Sequence, residues 1–231
     1  MKLLVCTSNQ PRHVTLVKRL IQAGHDVLTI VEPKSYGQSK GLERYWNAVR
    51  EAELEVCGRA FFMPGPVLAL RPGELSGVPE LTGVYLEDRF PVVFSSSYIT
   101  PPVVDWFVDK GALNLHVGIA PEYRGSAPNF WAAYDKNEHL VGAQVQRLSR
   151  GLDAGDILAE TRELEMTGDP FKRGMLAAAH GIELMVGVLE TYYATSHPPV
   201  RDNDRALEIR YTRHADFTPA VANEFLERYG L

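Results

Sequence analysis

The chain has 231 residues, 45% of them hydrophobic, enough for one generous domain or one domain with a short appendage. Its formal net charge is −5, with acidic and basic residues interleaved, so no basic stripe marks DNA or RNA as the main ligand. The opening MKLLVC is cut off at once by TSNQPRH, which reads as a buried first strand rather than a signal peptide, and no apolar run approaches membrane-spanning length.

Lys2 to Thr7 is expected to be a strand and Val14 to Ala23 an amphipathic helix that Gly24 ends. His25 to Val31 reads as a second strand. Leu42, Tyr45, Val49 and Leu54 fall near helical spacing and predict a helix over Gly41 to Cys57. A short third strand is expected within Arg59 to Gly65, the Pro/Gly-rich stretch Pro64 to Gly77 is mostly connection, and Val78 to Leu86 reads as a helix. Phe90 to Phe94 is a buried strand, after which SSSYITPP enters a helix at Val103 to Lys110 that Gly111 closes. Leu113, Leu115 and Val117 alternate as in a strand.

A helix at Asn129 to Tyr134 and strands at Gly142 to Leu148 and Ile157 to Leu164 follow. Phe171, Met175, Ala179, Ile182, Val186, Leu189 and Tyr193 recur every three or four residues and mark a long helix. His197 to Arg205 reads as a linker, and Pro219 to Tyr229 as a short terminal helix. Strands alternating with helices predict an α/β protein: an open, mostly parallel, twisted sheet with helices on both faces. Residues 1–195 would form the main domain, and 196–231 a linker and short helical extension packed on it.

Open α/β sheets place their sites at the carboxyl ends of strands. Asn114 and His116 share one face near such an end, and their N–H groups could cradle an oxyanion. On spacing alone, a buried Asn and His satisfied by loop carbonyls is the simpler reading. Asp153, in the Gly-framed loop SRGLDAGDIL, could orient His116, although an Asp beside glycine is also a common turn. Ser126 lies outside any GxSxG elbow, and the histidines include no HExxH and no zinc-ligand spacing, so no metal is expected. Cys6 and Cys57 lack CxxC spacing and suit buried thiols in a reducing, cytoplasmic setting. Arg12 and His13 could touch an anionic acceptor, with a solvated loop the plainer reading.

Asn114-Leu115-His116, Pro121, Arg124-Gly125 and Leu152-Asp153-Ala154-Gly155 together resemble the folate-dependent formyltransferase superfamily over about residues 90–165. That resemblance implies a Rossmann-like formyltransferase fold and a catalytic triad of Asn114, His116 and Asp153. It implies 10-formyltetrahydrofolate as cosubstrate, lined by Ser97, Tyr98, Ile99, Thr100, Arg150, Gly151 and Leu152, although the serines could equally be helix caps. Tyr123 and Asn129 would contact the acceptor amine, while Phe130 and Trp131 read equally well as core aromatics. The Pro-Asn-Phe-Trp run resembles the sugar N-formyltransferases most, which points to a nucleotide-linked amino sugar.

Two features depart from the family pattern. Val117 stands where the turn usually has its first proline, with Gly118 after it permitting unusual dihedrals, and TSNQPRH lacks a Gly-rich phosphate cradle after the first strand, which argues against glycinamide ribonucleotide. Methionyl-tRNA formyltransferases carry a further C-terminal barrel for which this chain stops early, so no nucleic-acid partner and no membrane are expected. The resemblance leaves open a formyltetrahydrofolate hydrolase, which would call for an N-terminal regulatory domain, and a catalytically silent binding protein on the same fold. The oligomeric state is open, a homodimer included.

Overall fold

The computed structural model describes residues 1–35, 40–78, 86–162, 168–195 and 201–231. Strands β1 (Lys2–Thr7), β2 (Asp26–Val31), β3 (Val67–Ala69), β4 (Phe90–Val93), β5 (Leu113–His116), β7 (Gly142–Arg147) and β8 (Ile157–Arg162) form one sheet, in the order β3-β2-β1-β4-β5-β7-β8. The first five run parallel, and β5–β7 and β7–β8 pair antiparallel. Strands β6 (Tyr123–Gly125) and β9 (Arg210–Thr212) form a separate parallel pair. The helices are α1 (Pro11–Gln22), α2 (Glu43–Cys57), α3 (Val103–Asp109), α4 (Pro128–Tyr134), α5 (Pro170–Thr195) and α6 (Pro219–Arg228).

Strand β1 shows why the sheet is buried on both sides. Its side chains alternate, so Leu3 and Val5 join a cluster with Leu16, Val17 and Leu20 of α1 and Ile182, Met185 and Leu189 of α5. Leu4 and Cys6 face the other way, with Val103, Val104 and Phe107 of α3. Strands covered on both faces read as continuous apolar runs, as LLVC and FPVV do. A third cluster, rich in aromatics, holds Tyr45, Ile119, Tyr123, Phe130, Trp131, Phe171 and Phe225 together. It ties α2, α4 and α6 to the turn that follows β5.

The third strand lies at Val67–Ala69 rather than within Arg59 to Gly65. Pro64 and Pro66 have no N–H to give a ladder, and Gly65 sits at φ 78°, so pairing begins only after the second proline. The Pro66 carbonyl still accepts the Thr29 N–H at 3.0 Å. Most of the helix expected at Val78 to Leu86 falls on 79–85, outside the described residues, as do 163–164 of the strand expected at Ile157 to Leu164 and 197–200 of the linker expected at His197 to Arg205. Arg201 is not free linker: it exchanges two backbone hydrogen bonds with Ile157, at 2.8 and 2.9 Å. Strand β9 had no counterpart in the sequence reading, being three residues long and paired only to β6.

Candidate active site at the carboxyl end of the sheet

Strand β5 splits its side chains by chemistry. Leu113 and Leu115 pack in the cluster under α5, and Asn114 and His116 take the opposite face. Antiparallel register puts Gln146 opposite Asn114 and Gln144 opposite His116, so the polar face continues onto β7. Gln144 holds the turn after β5 at both ends of one residue: its Oε1 accepts the Ala120 N–H and its Nε2 donates to the Ala120 carbonyl, each at 2.9 Å. The alternation in GAQVQR, read against that of β5, was the available signal for this clamp.

His116 is buried and its Nδ1 lies 3.1 Å from Oδ1 of Asp153. The other carboxylate oxygen, Oδ2, accepts the Gly125 N–H at 3.0 Å. Asp153 itself sits in the left-handed region, φ 46°, a conformation that Asp tolerates better than most residues. Its carbonyl accepts from Arg124 Nε at 3.0 Å and from Asn203 Nδ2 at 2.9 Å, and Arg124 also donates to the Leu152 carbonyl. Every oxygen of Asp153 therefore has a donor.

Burial alone would push the His116 pKa down. The Asp153 charge, the hydrogen bond to it and the Tyr123 carbonyl outweigh that penalty and raise it, against an opposing push from Arg124. Burial likewise disfavours the Asp153 carboxylate, and the His116 charge and hydrogen bond, the Gly125 N–H and Arg124 reverse the sign, so its pKa is lowered. Each partner thus holds the other in its charged form. His116 Nε2 is 3.4 Å from the Tyr123 carbonyl, longer than a good N–H···O bond, so this proton is loosely held and can turn to a stronger acceptor.

Gly118, the second residue of the turn, is held to glycine by its neighbours. A Cβ there would lie 2.3 Å from Pro128 Cγ and 2.8 Å from His116 Nε2, so only glycine leaves the imidazole its place. The half-buried Asn114 amide makes no hydrogen bond among the described residues and is available to donate beside His116.

The two loops expected to line a cofactor cleft meet. Tyr98 Oη donates to the Arg150 carbonyl at 3.0 Å, and Arg150 Nε to Asp105 Oδ1 at 2.7 Å. Tyr98 and Leu152 leave their side chains exposed, as a planar apolar ligand would require, and Gly151 lies beside them. The Ser97 and Thr100 N–H groups are engaged by Glu32 Oε2 and Ser76 Oγ, at 2.7 and 2.9 Å. Ile99 turns its side chain into the cluster under α3, so only its backbone faces the loop edge.

Tyr123 and Asn129, expected at the acceptor, have their polar groups engaged within the protein. Tyr123 is fully buried, its hydroxyl donating to Asp135 Oδ2 at 3.1 Å and accepting from Asn137 Nδ2 at 2.7 Å, so packing and polar satisfaction have taken the side chain. Asn129 spends both ends on the Gly142 peptide, at 2.9 and 3.0 Å. Phe130 and Trp131 are core aromatics. Among the described residues there is no cluster of His, Cys, Asp and Glu able to hold a metal and no helix long and apolar enough to cross a membrane.

This is an open α/β protein with a polar site at the carboxyl ends of its strands, the place where such sheets bind ligands. A sequence model of the formyl transferase family matches residues 88–168, which hold Asn114, His116 and Asp153. The chain is 29% identical over 147 residues to a methionyl-tRNA formyltransferase of Caldanaerobacter subterraneus subsp. tengcongensis, covering 63% of this chain and 44% of that protein. Among solved structures, a 4-N formyltransferase from Francisella tularensis superposes with TM-score 0.62 at 14% identity, covering 93% of this chain and 77% of that one. An N-formyltransferase from Helicobacter canadensis, solved with folinic acid and dTDP-3-aminofucose, gives TM-score 0.62 at 11% identity, covering 94% and 73%. Over residues 88–168 the chain thus matches the formyl transferase family, and its fold is that of the solved formyltransferases. The chain spans about half the length of the curated relatives it matches.

Proposed function

We propose that this protein transfers a formyl group from 10-formyltetrahydrofolate to the amine of a small acceptor, a nucleotide-linked amino sugar. The observation that carries the reading is the buried His116–Asp153 pair beside the unengaged Asn114 amide. The amine nitrogen bonds to the formyl carbon, the bond from that carbon to the folate nitrogen breaks, and the amine's proton ends on the departing nitrogen. As the carbonyl oxygen gains charge, Asn114 and the His116 Nε2–H donate to it, and Asp153 keeps the imidazole protonated and oriented. Donors preset in a buried site act more strongly than in water, each worth on the order of 100-fold in rate or more. Tyr98, Leu152 and the backbone at Ser97–Thr100 and Arg150–Gly151 would hold the folate, their exposed apolar side chains fitting its rings.

The acceptor has two sources of support, which differ. The Helicobacter canadensis neighbour was solved with an amino-sugar nucleotide. A net charge of −5 without a basic stripe also suits a small ligand better than a polyanion. The curated relatives of similar sequence are methionyl-tRNA formyltransferases, which makes methionyl-tRNA the second reading. Tetrahydrofolate release should be followed with 10-formyltetrahydrofolate alone, with a panel of nucleoside-diphosphate amino sugars, and with methionyl-tRNA. Release stimulated by orders of magnitude by an amino sugar supports the proposal. Stimulation by methionyl-tRNA alone moves the acceptor to the second reading, and fast formate release that no amine changes makes the protein a hydrolase.

A further inference from the structure

Residues 201–212 cross the loop that carries Asp153 and are fastened to it along their length. Arg201 pairs with Ile157 at the start of β8, and Glu208 Oε2 accepts from Arg124 Nη1 at 2.8 Å. The Glu122 carbonyl accepts from both the Ile209 and Arg210 N–H groups at 2.9 Å, and β9 then lies along β6. In the middle is Asn203. Its Nδ2 donates to the Asp153 carbonyl at 2.9 Å and to the Gly155 carbonyl at 3.1 Å, bridging the two ends of the turn. Its Oδ1 is buried without a partner among the described residues.

We propose that Asn203 is a positioning residue that sets the geometry of the His116–Asp153 pair from a segment 50 residues further along the chain. An Asn placed for stability alone would use both ends of its amide, since an unmet buried acceptor is costly. Here only the donor end is used, and both donations fall on the loop that aims the carboxylate. Asp153 adopts a left-handed backbone, which costs energy in a non-glycine residue and persists only where the surroundings over-determine it. Arg124 supplies one of the two donors to its carbonyl and Asn203 the other. Gly155 allows the approach: a Cβ there would meet the Arg147 carbonyl oxygen at 1.8 Å, so the turn cannot shift toward β7.

The test is Asn203→Leu, which keeps nearly the same size and removes both donations without adding a charge, beside Asn203→Ala. The charged groups facing His116 are Asp153 from the β7–β8 loop and Arg124 from β6. With the loop loosened, kcat should fall about tenfold or more while KM for 10-formyltetrahydrofolate stays within about twofold. The His116 titration, followed by ring-proton NMR, should move down toward the ordinary histidine value. Either an unmoved His116 titration or kcat within about twofold of the parent overturns the proposal, even where thermal stability drops. Should these variants fail to fold, Asn203→Ser, which keeps one shorter donor, carries the same two readouts. The kinetic half rests on the formyl-transfer reading and the titration half does not. A parent protein that transfers no formyl group therefore overturns that reading, while His116 still decides the role of Asn203.

Discussion

Two buried histidines stand at the carboxyl ends of two parallel strands, His13 after β1 and His116 at the end of β5, and they are held in opposite states. His13 is 1% exposed and packs edge-on to Phe94, with Nδ1 accepting the Gln10 N–H at 3.1 Å. Its pKa is lowered well below the ordinary value by burial, then by Arg12 and Lys34. A buried carboxylate is nearby there too, but Glu53 Oε1 is spent on the Arg12 N–H at 3.0 Å and on Arg12 Nη1 at 2.8 Å. It fills the start of α1, where helix N–H groups favour an anion. Burial is the same in both places; Asp153 beside His116, against Arg12 and Lys34 beside His13, decides the charge. One end of the sheet is closed on itself, and the other keeps a proton donor ready.

The comparison breaks most sharply at the pair itself. On the proposed mechanism, in which both act on charge that develops in the transition state, replacing His116 by Asn or Asp153 by Ala should lower kcat by about 100-fold or more and leave folate binding nearly intact. Steady-state kinetics with direct binding measures this, and near-normal turnover in either variant removes the assignment. Gly118→Ala should cost less, about tenfold in kcat, since the new methyl group must displace either Pro128 or the imidazole. A crystal structure of that variant would show which of them gives way.

The two histidines should also give opposite pH signatures in stability. The raised value of His116 means that its contribution is complete below about pH 6.5 and is lost as pH rises through the folded value. The lowered value of Asp153 means that its contribution is complete above about pH 3.8 and is lost as pH falls through the folded value. The pair therefore stabilises fully between those limits. His13, with its folded value lowered, works the other way: stability is lost as pH falls below about 6.5 and is flat above it. The Tm deficit of His116→Asn should shrink as pH rises above 6.5, and that of His13→Gln should shrink as pH falls below it. Parallel deficits across pH 5 to 8 would contradict the assignment.

The smallest effect concerns Tyr123. Tyr123→Phe removes two hydrogen bonds from a buried site and should lower stability by about 1–2 kcal/mol with KM for the acceptor unchanged. Chemical denaturation and acceptor kinetics check the two halves. A raised KM would restore Tyr123 as an acceptor contact.

The sheet and most helices were legible because strands such as LLVC and FPVV are buried on both faces and helix α1 shows its apolar face at regular spacing. Asn114, His116 and Asp153 could be picked out only because their motifs together resemble those of a known family; their spacing alone favoured a buried Asn and His. What sequence could not supply were partners brought from far along the chain. Nothing local to Asn203 says that it meets Asp153, and nothing in RYT says that β9 will pair with β6. The internal partners of Tyr123 and Asn129 were hidden for a related reason: a polar side chain beside a site looks the same in sequence whether it faces the ligand or bonds within the protein.

The central claim is that Asp153 keeps His116 protonated while an equally buried histidine at the start of α1 stays neutral. The direct measurement is nitrogen-15 NMR of the imidazole rings across pH 5 to 9, assigned with His13→Gln and His116→Asn. Near pH 6.5 His116 should be mostly protonated, with protons on both ring nitrogens, and His13 should be neutral. A His116 that is neutral there, or that titrates together with His13, would contradict the account.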